Sequence, residues 1–119
     1  MTHNAILIIE DDPDLRQALC DTVSMAGYQT LEADSAEPAL EILAREAVSL
    51  IVSDVQMPGV HGDELLKTVK RKYPEIPFVL ITAYGTVSKA VEAIQAGAAD
   101  YIVKPFEAEV LIEMVDRLA

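Results

Sequence analysis

Short runs of β-branched and other apolar residues alternate along this chain with stretches whose apolar positions recur at helical spacing. The first run is Ala5-Ile6-Leu7-Ile8-Ile9, and helical spacing follows at Leu15, Ala18, Leu19, Thr22, Val23 and Ala26. Gly27 closes that helix, as a residue free to adopt positive φ does. Tyr28 to Ala33 reads as a second, weaker strand. Ser35 then stands where a helix cap is expected, with Ala36, Ala39, Leu40 and Leu43 on one face behind it. Ser49 to Ser53 is the third strand. A loop with Met57-Pro58-Gly59 leads into a helix marked by Leu65, Leu66 and Val69. That helix ends in Lys70, Arg71 and Lys72, cations that suit the negative end of a helix dipole. Phe78 to Ile81 is the fourth strand. Val87, Ala90, Val91 and Ile94 mark the fourth helix, closed by Gly97. Asp100 to Val103 is the fifth strand, broken by Pro105, and Val110, Leu111, Met114, Val115 and Leu118 define the last helix.

The first, third and fourth strands are continuous apolar runs, the pattern of strands buried on both faces of a parallel sheet. Strands alternating with helices of this size imply right-handed crossovers and helices on both sides of that sheet. With no internal repeat, linker or low-complexity stretch, the 119 residues are expected to form one domain spanning 1–119.

Composition narrows the function. A formal net charge of −11 repels nucleic-acid backbones, so direct nucleic-acid binding by this domain is not expected; a cation or a basic partner surface suits it better. No apolar run reaches the roughly 18 residues of a membrane helix. The start, Met-Thr-His-Asn, lacks the basic and apolar segments of a secretory signal, and the lone Cys20 cannot form an internal disulfide. A cytoplasmic protein without membrane attachment is the expectation.

In an open α/β sheet the reactive crevice lies beyond the carboxyl ends of the strands. The first strand is followed by Glu10, Asp11 and Asp12, the third by Asp54, the fourth by Thr82 and the fifth by Lys104. If the strand order is 2-1-3-4-5, the first and third strands are neighbours and these groups converge at one edge. Clustered carboxylates repel one another unless a cation joins them, and magnesium suits such oxygens together with a phosphate. The set has the parts for phosphoryl transfer to a carboxylate, with Asp54 as nucleophile and Lys104 and Thr82 on phosphate oxygens. Asp12, followed by Pro13 at the favoured first helical position, reads instead as the cap of the first helix.

The chain resembles a response-regulator receiver domain over essentially its whole length. The resemblance is carried by Glu10-Asp11-Asp12, by Ser53-Asp54 followed by Met57-Pro58-Gly59 and Gly62, by Ile81-Thr82-Ala83, and by Asp100-Tyr101-Ile102-Val103-Lys104-Pro105-Phe106. It implies a flavodoxin-like (βα)5 three-layer sandwich. It further implies that Asp54 takes a phosphoryl group from a sensor histidine kinase or a phosphotransfer protein. Mg2+, or Mn2+ in its place, would be held by Asp11, Asp54 and the backbone carbonyl of Gln56, with Glu10 reaching it through water. Thr82 and Tyr101 would be the switch residues. The fourth helix, fifth strand and fifth helix would form the surface that meets an output domain or partner protein, or a second copy of the chain. Such a domain assists its own phosphorylation and dephosphorylation and is not a turnover enzyme.

Thr82-Ala83-Tyr84-Gly85-Thr86 and Ala93 to Tyr101 look like receivers of the nitrogen-regulation (NtrC) type, which sit at the N-terminus of sigma-54-dependent transcriptional activators. The chain is therefore expected to be the receiver portion of such an activator. The alternatives are a stand-alone receiver and a receiver-like binding module independent of phosphorylation. His61, where the family often has Asp, reads as a solvated loop residue. An aspartyl-phosphate phosphatase is disfavoured because Gln56 stands where its second acid would be. A flavin carrier is disfavoured by 5% aromatic residues and no Trp.

Overall fold

The computed structural model describes residues 5–55, 62–83 and 87–119, without the side chains of residue 63 and residues 87–90. Among them are the strands β1 (Ala5–Ile9), β2 (Gln29–Ala33), β3 (Leu50–Asp54), β4 (Phe78–Thr82) and β5 (Asp100–Val103). They alternate with the helices α1 (Pro13–Met25), α2 (Ala36–Arg45), α3 (Gly62–Lys72), α4 (Val87–Gln95) and α5 (Ala108–Leu118). All pairings are parallel and the sheet order is β2-β1-β3-β4-β5, as the sequence led one to expect.

Handedness explains the layers. The chain steps one way from β1 to β2 and the opposite way through β3, β4 and β5. A right-handed crossover must then place α1 on one face and α2, α3 and α4 on the other. The core divides accordingly. Leu7, Ile9, Ile51, Phe78 and Leu80 pack with residues of α2 and α3, and Ala93 of α4 joins them. Ile6, Ile8, Val52, Val79 and Ile81 pack with Leu19 and Val23 of α1 and Leu111 and Val115 of α5. The period of two is thus present in strands that look uniformly apolar, because both faces are covered.

Local signals act as expected at several helix ends. Asp12 caps α1, its Oδ1 accepting from the N–H of Asp14 at 3.0 Å and of Leu15 at 3.5 Å, with Pro13 at the first helical position. Gly27 and Gly97 take φ of 99° and 108° after α1 and α4. Elsewhere the structure departs from the sequence reading. Ser35 sits at the N-cap of α2 but makes no capping bond; its hydroxyl donates to Asp34 Oδ1 at 2.9 Å instead. β2 begins at Gln29, not Tyr28, whose hydroxyl donates to Asp116 Oδ1 at 2.5 Å. Asp54 and Thr82 are the last residues of their strands, not the first of the loops after them. Val91, Ile94 and Val110, among the apolar positions that mark the fourth and last helices, are 46%, 47% and 44% exposed. The side chains of Val87 and Ala90, the Met57-Pro58-Gly59 loop, His61 and Tyr84-Gly85-Thr86 lie outside the described residues.

Candidate functional site

The register of the sheet builds the site. Ile9 pairs with Ser53, so Glu10 and Asp54, the next residue on each chain, lie side by side at the point where the chain direction divides. Asp54 is 5% and Glu10 1% exposed, whereas Asp11 is exposed. One carboxylate oxygen from each of Glu10, Asp11 and Asp54 falls within 4.8 Å of the others. On the far side, Thr82 pairs with Val103, and the N–H of Lys104 donates to the Thr82 carbonyl at 2.8 Å. That anchor sends the Lys104 ammonium back over the sheet edge, 2.9 Å from Asp54 Oδ2 and 3.5 Å from Glu10 Oε1. The Lys104–Pro105 peptide bond is cis.

The ammonium thus lies between Glu10 and Asp54, with the Asp11 carboxylate beside them, and the protonation of Glu10 reflects this crowding. Burial, followed by the adjoining Asp54 and Asp11, pushes the Glu10 carboxyl up to about 7, although the Asp12 N–H, donating to Glu10 Oε2 at 3.1 Å, pulls the other way. Burial works against the Lys104 ammonium, but its hydrogen bond and charge attraction to Asp54, with help from Glu10, hold its pKa above the usual lysine value.

A pH dependence follows. The folded chain holds the Glu10 proton to about 7 against 4.5 in an unfolded chain. The stability it supplies is complete below pH 4.5 and is lost as pH rises through about 7. Without divalent cations, the thermal midpoint should fall across that window, and Glu10→Gln should flatten the fall. An equally steep fall in Glu10→Gln would show that another group is responsible.

The same cluster fits a hard divalent cation. Its side-chain donors are all oxygens, and among the described residues Glu10 Oε1 is a buried acceptor without a hydrogen bond. Gln56, the other expected ligand, lies outside the described residues. Thr82 is half-buried at the end of β4, and Tyr101 is half-buried on β5, packed against the α2/α3 side of the core.

Two residues at this edge carry roles that the sequence reading did not assign. Gly62 opens α3 directly over the end of β3, its N–H donating to the Val55 carbonyl at 2.8 Å. Arg16 of α1 reaches back to the Glu10 carbonyl. A cation in the first turn of a helix, where the dipole disfavours it, was the available signal.

A doubly wound parallel sheet with an acidic crevice at its switch point, closed by the lysine that follows β5, brings oxygen donors suited to a hard cation and an ammonium suited to an anion to one edge. The chain belongs to the response regulator receiver domain family, whose pattern matches residues 6–116. It is 54% identical over 114 residues to the response regulator protein FleR of Pseudomonas aeruginosa, covering 96% of this chain and 24% of that protein. It is 32% identical over 117 residues to the DNA-binding transcriptional regulator NtrC of Escherichia coli, covering 98% of this chain and 25% of that one. The chain thus spans about a quarter of the length of these curated relatives. Among solved structures, the chemotaxis protein CheY4 of Vibrio cholerae superposes with a TM-score of 0.93 at 29% identity, covering 99% of this chain and all of the other. The likeness to receivers of the nitrogen-regulation type is borne out, and the chain is a receiver of two-component signalling. No helix among the described residues is long and apolar enough to cross a membrane.

Proposed function

We propose that Asp54 is the phosphoacceptor of a cytoplasmic receiver domain spanning residues 1–119, and that a sensor histidine kinase or a phosphotransfer protein supplies the phosphoryl group. The observation that carries this reading is Asp54 itself. It is a buried carboxylate with an ammonium 2.9 Å from one oxygen and two further carboxylates beside it. Asp11, Asp54 and the Gln56 carbonyl would hold Mg2+, with Glu10 contributing through water; Mn2+ suits the same donors. When bound, the cation neutralises charge on the carboxylates and the incoming phosphate.

The remaining work falls to the chain. An Asp54 carboxylate oxygen forms the new bond to phosphorus as the donor's bond to phosphorus breaks, the donor leaving with the electron pair. Lys104 donates to the oxygens where negative charge collects, and the Thr82 hydroxyl takes another. The domain assists its own phosphorylation and dephosphorylation and turns over no external substrate. New bonds to the phosphate, available in only one of two packings, draw Thr82 toward it and Tyr101 inward. The affected surface is α4, β5 and α5. Exposed Val91, Ile94, Val103 and Val110 support that assignment, as does an open groove lined by Tyr101, Phe106 and Val110. Its target would be the output domain of a sigma-54-dependent activator, or a second receiver.

The test is the intact mass of the protein after incubation with acetyl phosphate and Mg2+. A single phosphoryl adduct that disappears with chelator is expected; no adduct in the folded protein, from acetyl phosphate or from phosphotransfer proteins, would reject the reading in favour of a phosphorylation-independent binding module. Lys104→Ala should still take up phosphate, about a hundredfold more slowly, because one preorganised donor to the charged oxygens is gone. Its phosphorylated form should lack the change at α4–β5–α5 seen by amide exchange; a full parental change would contradict the role of Lys104.

A further inference from the structure

Arg16 lies outside every motif described above, yet its side chain meets the acidic loop at the backbone. It is the fourth residue of α1, where its positive charge opposes the helix dipole, so local helix preference does not explain it. Its Nε sits 2.9 Å from Glu32 Oε1 on β2, and its Nη1 donates to the Glu10 carbonyl at 2.8 Å. The location follows from the end of the sheet. The Glu10 N–H still finds the Ala33 carbonyl at 3.0 Å, but β2 ends at Ala33, and the Arg16 guanidinium supplies the next donor in place of a strand. The Glu32 ion pair orients the planar fork for this.

The contact closes a ring of hydrogen bonds around Asp11. The Glu10 carboxylate takes the Asp12 N–H at 3.1 Å, and the Asp12 carbonyl takes the Arg16 N–H at 2.8 Å. The Arg16 side chain then returns to the Glu10 carbonyl. Asp11 is the exposed residue between the two tied positions, so its carboxylate leaves a backbone held on both sides.

We propose that Arg16, oriented by Glu32, is a positioning residue for divalent-cation binding: it holds the backbone of the Glu10–Asp12 loop so that the Asp11 carboxylate stands ready beside Asp54. This rests on the assignment of the acidic cluster as the cation site.

The sign of one substitution separates this role from plain electrostatics. Removing a cation beside an acidic cluster should by charge alone tighten Mg2+ binding. Loss of positioning should weaken it, by about tenfold for a group that orients metal ligands. The experiment is calorimetric titration of Mg2+ into the parent and Arg16→Gln with no phosphoryl donor present. It is paired with the rate of acetyl phosphate uptake against Mg2+ concentration. Weaker binding, a higher Mg2+ requirement and a near-parental rate at saturating Mg2+ are expected, with partial recovery in Arg16→Lys. Unchanged or tighter binding in a folded Arg16→Gln overturns the proposal even if its melting temperature falls. If Arg16→Gln does not fold, Arg16→Met, which keeps the apolar stem, is read against the same two outcomes. A parent chain that binds no Mg2+ would overturn the cation site itself, and this inference with it.

Discussion

Asp54→Asn is expected to take up no phosphoryl group from acetyl phosphate at any Mg2+ concentration, while remaining folded. The amide keeps the shape of the carboxylate at a position that is 5% exposed, so the packing of the β3 end against β1 and β4 is preserved. What it loses is the anionic oxygen that must form the bond to phosphorus. Two electrostatic effects of the change oppose each other. Lys104 loses a charged partner at 2.9 Å, and Glu10 loses a like-charged neighbour. The net change in stability at neutral pH should therefore be small, within about 1 kcal/mol. A second signature accompanies it. Asp54 contributes to the raised Glu10 pKa through both a hydrogen bond and its charge, whereas burial is the larger cause and stays. The fall in stability with rising pH should then be smaller in Asp54→Asn and reach its end at lower pH. Mass spectrometry tests the first expectation and thermal melts across pH the second. An adduct of one phosphoryl group at parental yield would reject Asp54 as the acceptor.

Gly62→Ala is expected to cost about 3 kcal/mol of stability and to slow phosphorylation, although alanine is the better helix former. A Cβ at position 62 would lie 2.4 Å from the Asp54 carbonyl oxygen and 2.9 Å from the Val55 Cα. Both are backbone atoms, so no side chain can move aside. Either α3 retreats and breaks the 2.8 Å bond from the Gly62 N–H to the Val55 carbonyl, or the end of β3 shifts and carries Asp54 away from Lys104. Leu65, Leu66 and Val69 of α3 are wholly buried against the sheet, which makes retreat costly. Urea unfolding and the initial rate of acetyl phosphate uptake measure the two consequences. Parental stability in Gly62→Ala would show that α3 has room the packing does not suggest. This requirement differs from that at Gly27, where φ is positive but a Cβ would meet nothing within 4 Å.

Much of this was legible in the residues. β1, β3 and β4 announced themselves as apolar runs because a strand covered on both faces has few positions for polar side chains. Asp12 could be read as a cap because Pro13 beside it is a local signal, and capping is a local event. Ser35 carried the same kind of signal and failed, because Asp34 next to it offers its hydroxyl a competing acceptor. The exposure of Val91, Ile94 and Val110 was not legible for another reason. Apolar spacing shows that a helix has an apolar face, but cannot say whether the domain itself covers that face.

The order of residues by itself determined the alternation of strands and helices, the placing of carboxylates, a hydroxyl and an ammonium at strand ends, and hence the receiver family. These depend on periodicity and chain direction, which local sequence encodes. Tertiary structure alone decided the distances that turn this list into a site. The Ile9–Ser53 register sets Glu10 against Asp54, and the Lys104 N–H on the Thr82 carbonyl aims the ammonium. Close approach of α3 requires glycine at position 62, and the early end of β2 leaves the Glu10 carbonyl to Arg16. Each of these joins residues far apart in the chain. Their relative positions are settled by packing and strand pairing, which no single segment specifies.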